Sequence, residues 1–152
     1  MEFELLTDWA SVPDEFFKYA IIVARHAGQW ILVRHRERKT WEIPAGHREP
    51  GEPIFATAQR ELQEETGAVV FDLRPVFAFR SPQYDEVGQR IDRLASLLCF
   101  AEIRELGPLS TDFEIAEISL VDQLPSPQCL TYPEIQPRLF DAVVSRLAKS
   151  GG

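Results

Sequence analysis

From Leu97 to Ile103 the sequence is apolar at every position but Glu102. A strand of that composition has to be covered on both faces, which demands a sheet with further layers above and below it. The flanking sequence supplies the partners. Tyr19–Arg25 and Trp30–Arg34 are β-branched, apolar runs separated by His26-Ala27-Gly28-Gln29, the pattern of a β-hairpin. Val69–Phe79 reads as a strand with Phe71, Leu73, Phe77 and Phe79 on one parity, and Pro75 at its middle points to an edge or a bulge. Ile115–Val121 is a further short strand. Two segments read as helices. Pro53–Thr66 has a proline suited to the first helical position and Gly67 suited to a left-handed cap. Pro133–Leu147 carries Ile135, Leu139, Phe140, Val143, Val144 and Leu147 at helical spacing. This order predicts an α/β fold, a mixed sheet with helices packed on its faces.

The 152 residues fit one domain spanning 1–152, and 45% hydrophobic with 26% charged residues excludes a disordered or fibrous chain. The formal net charge of −8 argues against a nucleic-acid polymer or an anionic membrane as partner. It leaves open a small phosphorylated ligand, because a bound cation inverts the local field. Cys99 and Cys129 are isolated and fit no metal or redox spacing. MEFELLTDWA lacks the basic segment and apolar run of a signal peptide. The apolar stretches at Ala20–Ala24 and Leu94–Ala101 fall far short of the roughly 20 residues that span a bilayer. A cytoplasmic protein is expected.

The informative stretch runs from Trp41 to Ala68, WEIPAGHREPGEPIFATAQRELQEETGA. A short strand, Trp41–Ile43, is expected to lead through a tight loop bracketed by Gly46 and Gly51 into the first helix. On that helix Glu61, Glu64 and Glu65 stand at i, i+3 and i+4 and share one face. Like charges at these spacings repel, by about 0.2–0.5 kcal/mol a pair even when exposed. They also sit near the helix C-terminus, where the macrodipole disfavours negative charge. A divalent cation reverses both penalties, and Mg²⁺ is suited because it takes carboxylates together with phosphate oxygens. Arg60, four residues before Glu64, can hold that carboxylate. Glu52 is expected to serve the free N–H groups at the helix start.

Gly46, Glu52, Arg60-Glu61-Leu62, Glu64-Glu65 and Gly67 reproduce, without a gap, the spacing of the Nudix box, and the chain resembles the Nudix hydrolase family on that stretch. The position after Gly67 is Ala68, where the family favours a bulkier aliphatic residue. The resemblance implies an α/β/α sandwich and hydrolysis of a nucleoside diphosphate linked to X. It implies that Glu61, Glu64 and Glu65, with the carbonyl of Ala45, bind Mg²⁺ or Mn²⁺, and that Arg60 and Glu52 orient this set. A general base comes from a box glutamate or from an acidic residue beyond the box. Asp112, Glu114 and Glu117 are the candidates, with Glu114 and Glu117 favoured.

Arg34, His35, Arg36, Arg38 and Lys39 form a basic cluster before the box that could steer phosphates. Arg34 and Arg36, with Gly46 and His47 of the box loop, are the expected substrate contacts. Trp30, Tyr84 and Tyr132 could stack a base, although core packing is expected of at least one. The small size favours a nucleoside triphosphate, including an oxidised one such as 8-oxo-dGTP, cleaved to monophosphate and pyrophosphate. Pro44-Ala45-Gly46 and the downstream Ser81-Pro82 point instead to an ADP-ribose or nucleotide-sugar pyrophosphatase. A non-catalytic nucleotide-binding regulatory module is the third reading. The expected partner is a small-molecule nucleotide, and a homodimer is left open.

Overall fold

The computed structural model describes residues 3–80, 83–90 and 94–149. Within these, seven strands and two α-helices follow in the order β1 (Glu4–Leu6), β2 (Phe17–His26), β3 (Gln29–His35), β4 (Ala45–His47), α1 (Ile54–Thr66), β5 (Ala68–Arg80), β6 (Ala95–Leu106), β7 (Ile115–Val121) and α2 (Gln136–Lys149). The sheet order is β1-β5-β6-β2-β3-β7, with β4 paired to β2. β2 and β6 run parallel and the other pairs antiparallel, so the sheet is mixed.

β6 behaves as its composition demands. Leu97, Cys99, Ala101 and Ile103 enter one core with Ile54, Ala58 and Leu62 of α1. Leu98 and Phe100 enter the opposite core with Leu139, Val143 and Leu147 of α2. One helix therefore covers each face, giving the α/β/α arrangement. The β2–β3 hairpin turns through Ala27 and Gly28, both at positive φ (51° and 80°), as a tight two-residue turn requires. Trp30 meets the Phe140 ring edge-on at 5.0 Å and so ties this hairpin to α2.

β2 is forked. Its distal end pairs with β3 at Arg25 and His26, while its proximal part pairs with β4 at Tyr19, Ala20 and Ile21. β3 and β4 thus diverge from a shared strand.

Several expectations need adjustment. Trp41–Ile43 is not a strand. Trp41 and Glu42 form isolated bridges to Leu130 and Val33, and the strand lies further on, at Ala45–His47, inside the expected loop. Pro53 caps α1 rather than opening it, and α2 starts at Gln136 after a turn over Tyr132–Ile135. In β5 the single parity does not hold. Phe71 and Leu73 pack on the α1 side and Phe77 and Phe79 on the α2 side, because the register slips between Pro75 and Phe77. One extra residue in a strand reverses which face every later side chain meets. Ser81 and Pro82 lie outside the described residues.

Candidate active site

The site lies on the last two turns of α1, where that helix leans against β4. Ile54, Ala58 and Leu62 recur every fourth residue and bury one stripe of α1. This directs Glu61 and Glu65 toward β4, with Glu64 at the outer edge of the same face. Asp14 caps the helix start, its Oδ1 accepting the Ile54 N–H at 3.0 Å. Glu52 does not take that role. Gly67 ends the helix at φ 77°, where only glycine is unstrained, and its N–H donates to the Gln63 carbonyl at 3.0 Å.

Glu52 clamps Arg60. Arg60 Nε donates to Glu52 Oε2 at 2.8 Å and Nη2 to Glu52 Oε1 at 3.0 Å, while the Thr57 hydroxyl donates to Oε1 at 2.6 Å. These bonds, led by those from Arg60, hold the Glu52 carboxyl down to a pKa of about 2. The other end of the guanidinium is shared. Nη1 donates to Glu61 Oε1 at 2.8 Å and to Glu64 Oε2 at 3.2 Å, and Nη2 also donates to the His47 carbonyl at 3.0 Å. Arg60 thus fixes two carboxylates of the α1 face and one backbone oxygen of β4.

Glu61 lies against Gly46. A Cβ built at position 46 would stand 1.9 Å from the Glu61 Cδ, so only glycine leaves room for that carboxylate. Desolvation there, with Glu64 and Glu52 nearby, outweighs Arg60 and lifts Glu61 to about 7. Glu65 reaches further inward, its Oε1 accepting the Ala45 N–H at 2.8 Å. Burial, followed by the charges of Glu61, Glu42 and Glu114, raises it to about 8 despite that bond.

The sequence had not singled out Glu42, which is buried and joins this group. Arg38 hydrogen-bonds to it and is itself held more firmly protonated by that contact. His35 stands among the carboxylates, with Nε2 3.3 Å from Glu42 and 3.7 Å from Glu65, and Nδ1 3.5 Å from Glu114. A charged residue inside the apolar Trp41–Ile43 segment was the available signal for Glu42. Nothing local marked His35 beyond its place in a basic run.

Among the described residues, no three carboxylate, imidazole or thiolate groups stand together in a geometry ready for a metal. The donor set nevertheless fits a hard divalent cation. Glu61, Glu64 and Glu65 are all oxygen ligands. Burial raises the pKa of two of them, Glu61 despite the Arg60 guanidinium beside it, and the missing side chain at Gly46 gives the Glu61 carboxylate its room. The surplus of crowded, desolvated carboxylate is the property a cation would correct.

The remaining candidates sort themselves by partner. Arg34 pairs with Glu117 at 2.8 Å across β3 and β7 and also donates to the Arg38 carbonyl. Arg36 donates to the Thr111 carbonyl at 2.7 Å, and its N–H to the Glu114 carbonyl at 2.9 Å, so it pins the segment that bears Glu114. Glu114 comes up to the cluster through His35 with its side chain 87% exposed. Glu117 stays with Arg34. His47 stacks on Tyr19 at 4.2 Å between ring centres. Trp30 faces Phe100 and Phe140, while Tyr84 and Tyr132 are exposed.

A family model described as the NUDIX domain matches residues 17–138. YtkD of Bacillus subtilis (strain 168), provisionally named an 8-oxo-dGTP diphosphatase, is 32% identical over 108 residues, which cover 71% of this chain and 64% of that protein. An ADP-ribose pyrophosphatase of the same organism is 35% identical over 111 residues, covering 69% of this chain and 59% of that protein. The chain therefore matches about three-fifths of the length of these curated relatives. The crystal structure of a Bacillus subtilis pyrophosphohydrolase, BsRppH, in mutant form superposes with a TM-score of 0.79 at 25% identity, over 98% of this chain and 91% of that one. With the box residues converging beside β4, two helices enclosing a mixed sheet, and a match spanning most of its length, this chain belongs to the NUDIX domain family.

Proposed function

We propose that the chain hydrolyses a nucleoside diphosphate linked to X, acting as a Mg²⁺- or Mn²⁺-dependent pyrophosphohydrolase. The favoured substrate is a nucleoside triphosphate, oxidised forms such as 8-oxo-dGTP included, and the products are a monophosphate and pyrophosphate. The observation that carries the reading is the placing of Glu61 against Gly46 and of Glu65 on the Ala45 N–H, with Glu64 and Glu61 both held by an Arg60 that Glu52 clamps. The name of YtkD supports the triphosphate substrate.

Glu61, Glu64 and Glu65, with the Ala45 carbonyl, would hold the cation, which when bound neutralises phosphate charge and lowers the pKa of a water. The chain's own groups do the rest. The Glu52–Arg60 clamp holds Glu61 and Glu64 in place through Arg60 Nη1. The Ala45 N–H holds Glu65. Glu114, exposed at the rim and beside His35, accepts the proton from the attacking water at its carboxylate. Water adds across one P–O–P bridge. One phosphorus gains the hydroxyl, and the other leaves with the bridging oxygen.

A second reading, ADP-ribose hydrolysed to AMP and ribose 5-phosphate, is supported by the 35% identical ADP-ribose pyrophosphatase. The regulatory-module reading is weakened because every carboxylate of the box is present, with Glu52, Glu61 and Glu64 held by Arg60 and Glu65 by the Ala45 N–H. The test is pyrophosphate release from a panel of nucleoside triphosphates, measured beside AMP release from ADP-ribose, each with and without Mg²⁺. Pyrophosphate release that outpaces AMP release supports the first reading. The reverse selects the second, and no turnover on either revives the third.

A further inference from the structure

A groove of about 450 Å³ runs along the outer side of α1, lined by Ala56, Gln59, Arg60, Gln63, Glu64 and Phe113. It touches the carboxylate cluster at Glu64 and Arg60 and extends away from it toward the start of the helix. That volume lies within the roughly 300–1,000 Å³ typical of small-molecule sites. Its two walls differ in chemistry. Phe113 is 40% exposed, and it sits in the segment that Arg36 pins at Thr111 and Glu114, so a large apolar ring is held at the surface beside the site. Across from it, Gln59 and Gln63 are exposed and one helical turn apart, and neither carboxamide is hydrogen-bonded among the described residues. Each offers both a donor and an acceptor. At i, i+4 their Cβ atoms stand about 6 Å apart, a span matched to a two-ring base.

We infer that this groove receives the nucleobase end of the substrate, with Phe113 stacking on a purine and Gln59 and Gln63 hydrogen-bonding its edge. The inference rests on the nucleotide reading above and adds the subsite that selects the base. The phosphates then lie at the Glu64 end of the groove, beside the carboxylates proposed to hold the cation, and the base lies along α1 toward Ala56. An apolar face for stacking and unpaired amides for an edge are the two elements that distinguish a base from the bare sugar phosphate.

The test compares equilibrium binding of GMP and of ribose 5-phosphate to the 152-residue chain by calorimetry. The wild-type chain is expected to bind GMP at least about tenfold more tightly, a margin in keeping with stacking on an exposed ring. Phe113→Ala, and separately Gln59→Ala with Gln63→Ala, should shrink that margin while circular dichroism stays unchanged. Phe113→Trp should retain it and show fluorescence quenching on GMP addition. Equal wild-type affinity for the two probes overturns the inference, as does a margin that survives Phe113→Ala. The two failures are separable. Anhydride cleavage with a margin indifferent to Phe113 leaves the activity standing and removes the subsite. A margin that depends on Phe113 with no cleavage of any substrate does the opposite.

Discussion

Arg60 commits its whole guanidinium within the molecule, with Glu52 on one edge and Glu61, Glu64 and the His47 carbonyl on the other. Removing Glu52 therefore loosens two carboxylates it never touches. Glu52→Gln is expected to weaken Mg²⁺ binding about 10–100-fold, as loss of a ligand-orienting partner does, and titration calorimetry reads this directly. Gly46→Ala is the steric counterpart. The added methyl collides with Glu61 rather than with backbone, so a folded but inactive protein is expected by circular dichroism and phosphate assay. Glu114→Gln should lower kcat by about 10²–10⁴-fold, the usual worth of a positioned general base, and by far more than Glu117→Gln. An equal effect of the two would remove Glu114 from that role. The box residues were legible in the sequence because their spacing lies within one helix and its lead-in. Glu42 and His35 were not, since their meeting with Glu65 is made by the sheet and no sequence distance records it.

β6 and both helices could be read from pattern, because an apolar run and a helical stripe each state their burial locally. The β5 slip could not. Alternation counted from Phe71 to Phe79 assumes an unbroken pleat, and only pairing with β6 reveals the shift after Pro75. β4 was hidden for a related reason: three residues around a glycine carry no strand signal, and β2 imposes the pairing. The α1 face also sets a pH dependence. Glu61 near 7 and Glu65 near 8 stand above their unfolded value of 4.5, so their burial favours the folded chain only while they are protonated. That advantage is lost as pH rises from about 4.5 through 8. Glu52, held near 2, acts oppositely: its stabilisation is present above 4.5 and lost as pH falls through 2. The Tm of the metal-free chain is thus expected to decline between pH 5 and pH 8 in a thermal scan. Mg²⁺ should restore more at pH 8 than at pH 6, because cation and proton compete for the same oxygens.

At the scale of the molecule, α1 belongs at once to the site and to one of two cores. Leu62 is fully buried beside Arg60, Glu61 and Glu64, the residues proposed to serve the chemistry. Leu62→Ala is expected to cost about 2–5 kcal/mol by chemical denaturation, and to lower activity through the displaced Glu61 and Glu64. Among the described residues, no helix is long and apolar enough to cross a membrane. The net charge of −8 makes the carboxylate face still more repellent to a polyphosphate until cations arrive. Activity should therefore rise steeply with divalent ion and be abolished by a chelator. The forked strand has a last consequence. Because β2 pairs with both β3 and the short strand that contains Gly46, the scaffold around Glu61 cannot soften on its own while the sheet survives. Heat should silence the proposed activity at the temperature where the sheet melts, and a gap of many degrees between those two events would mean that the fork does not weld one to the other.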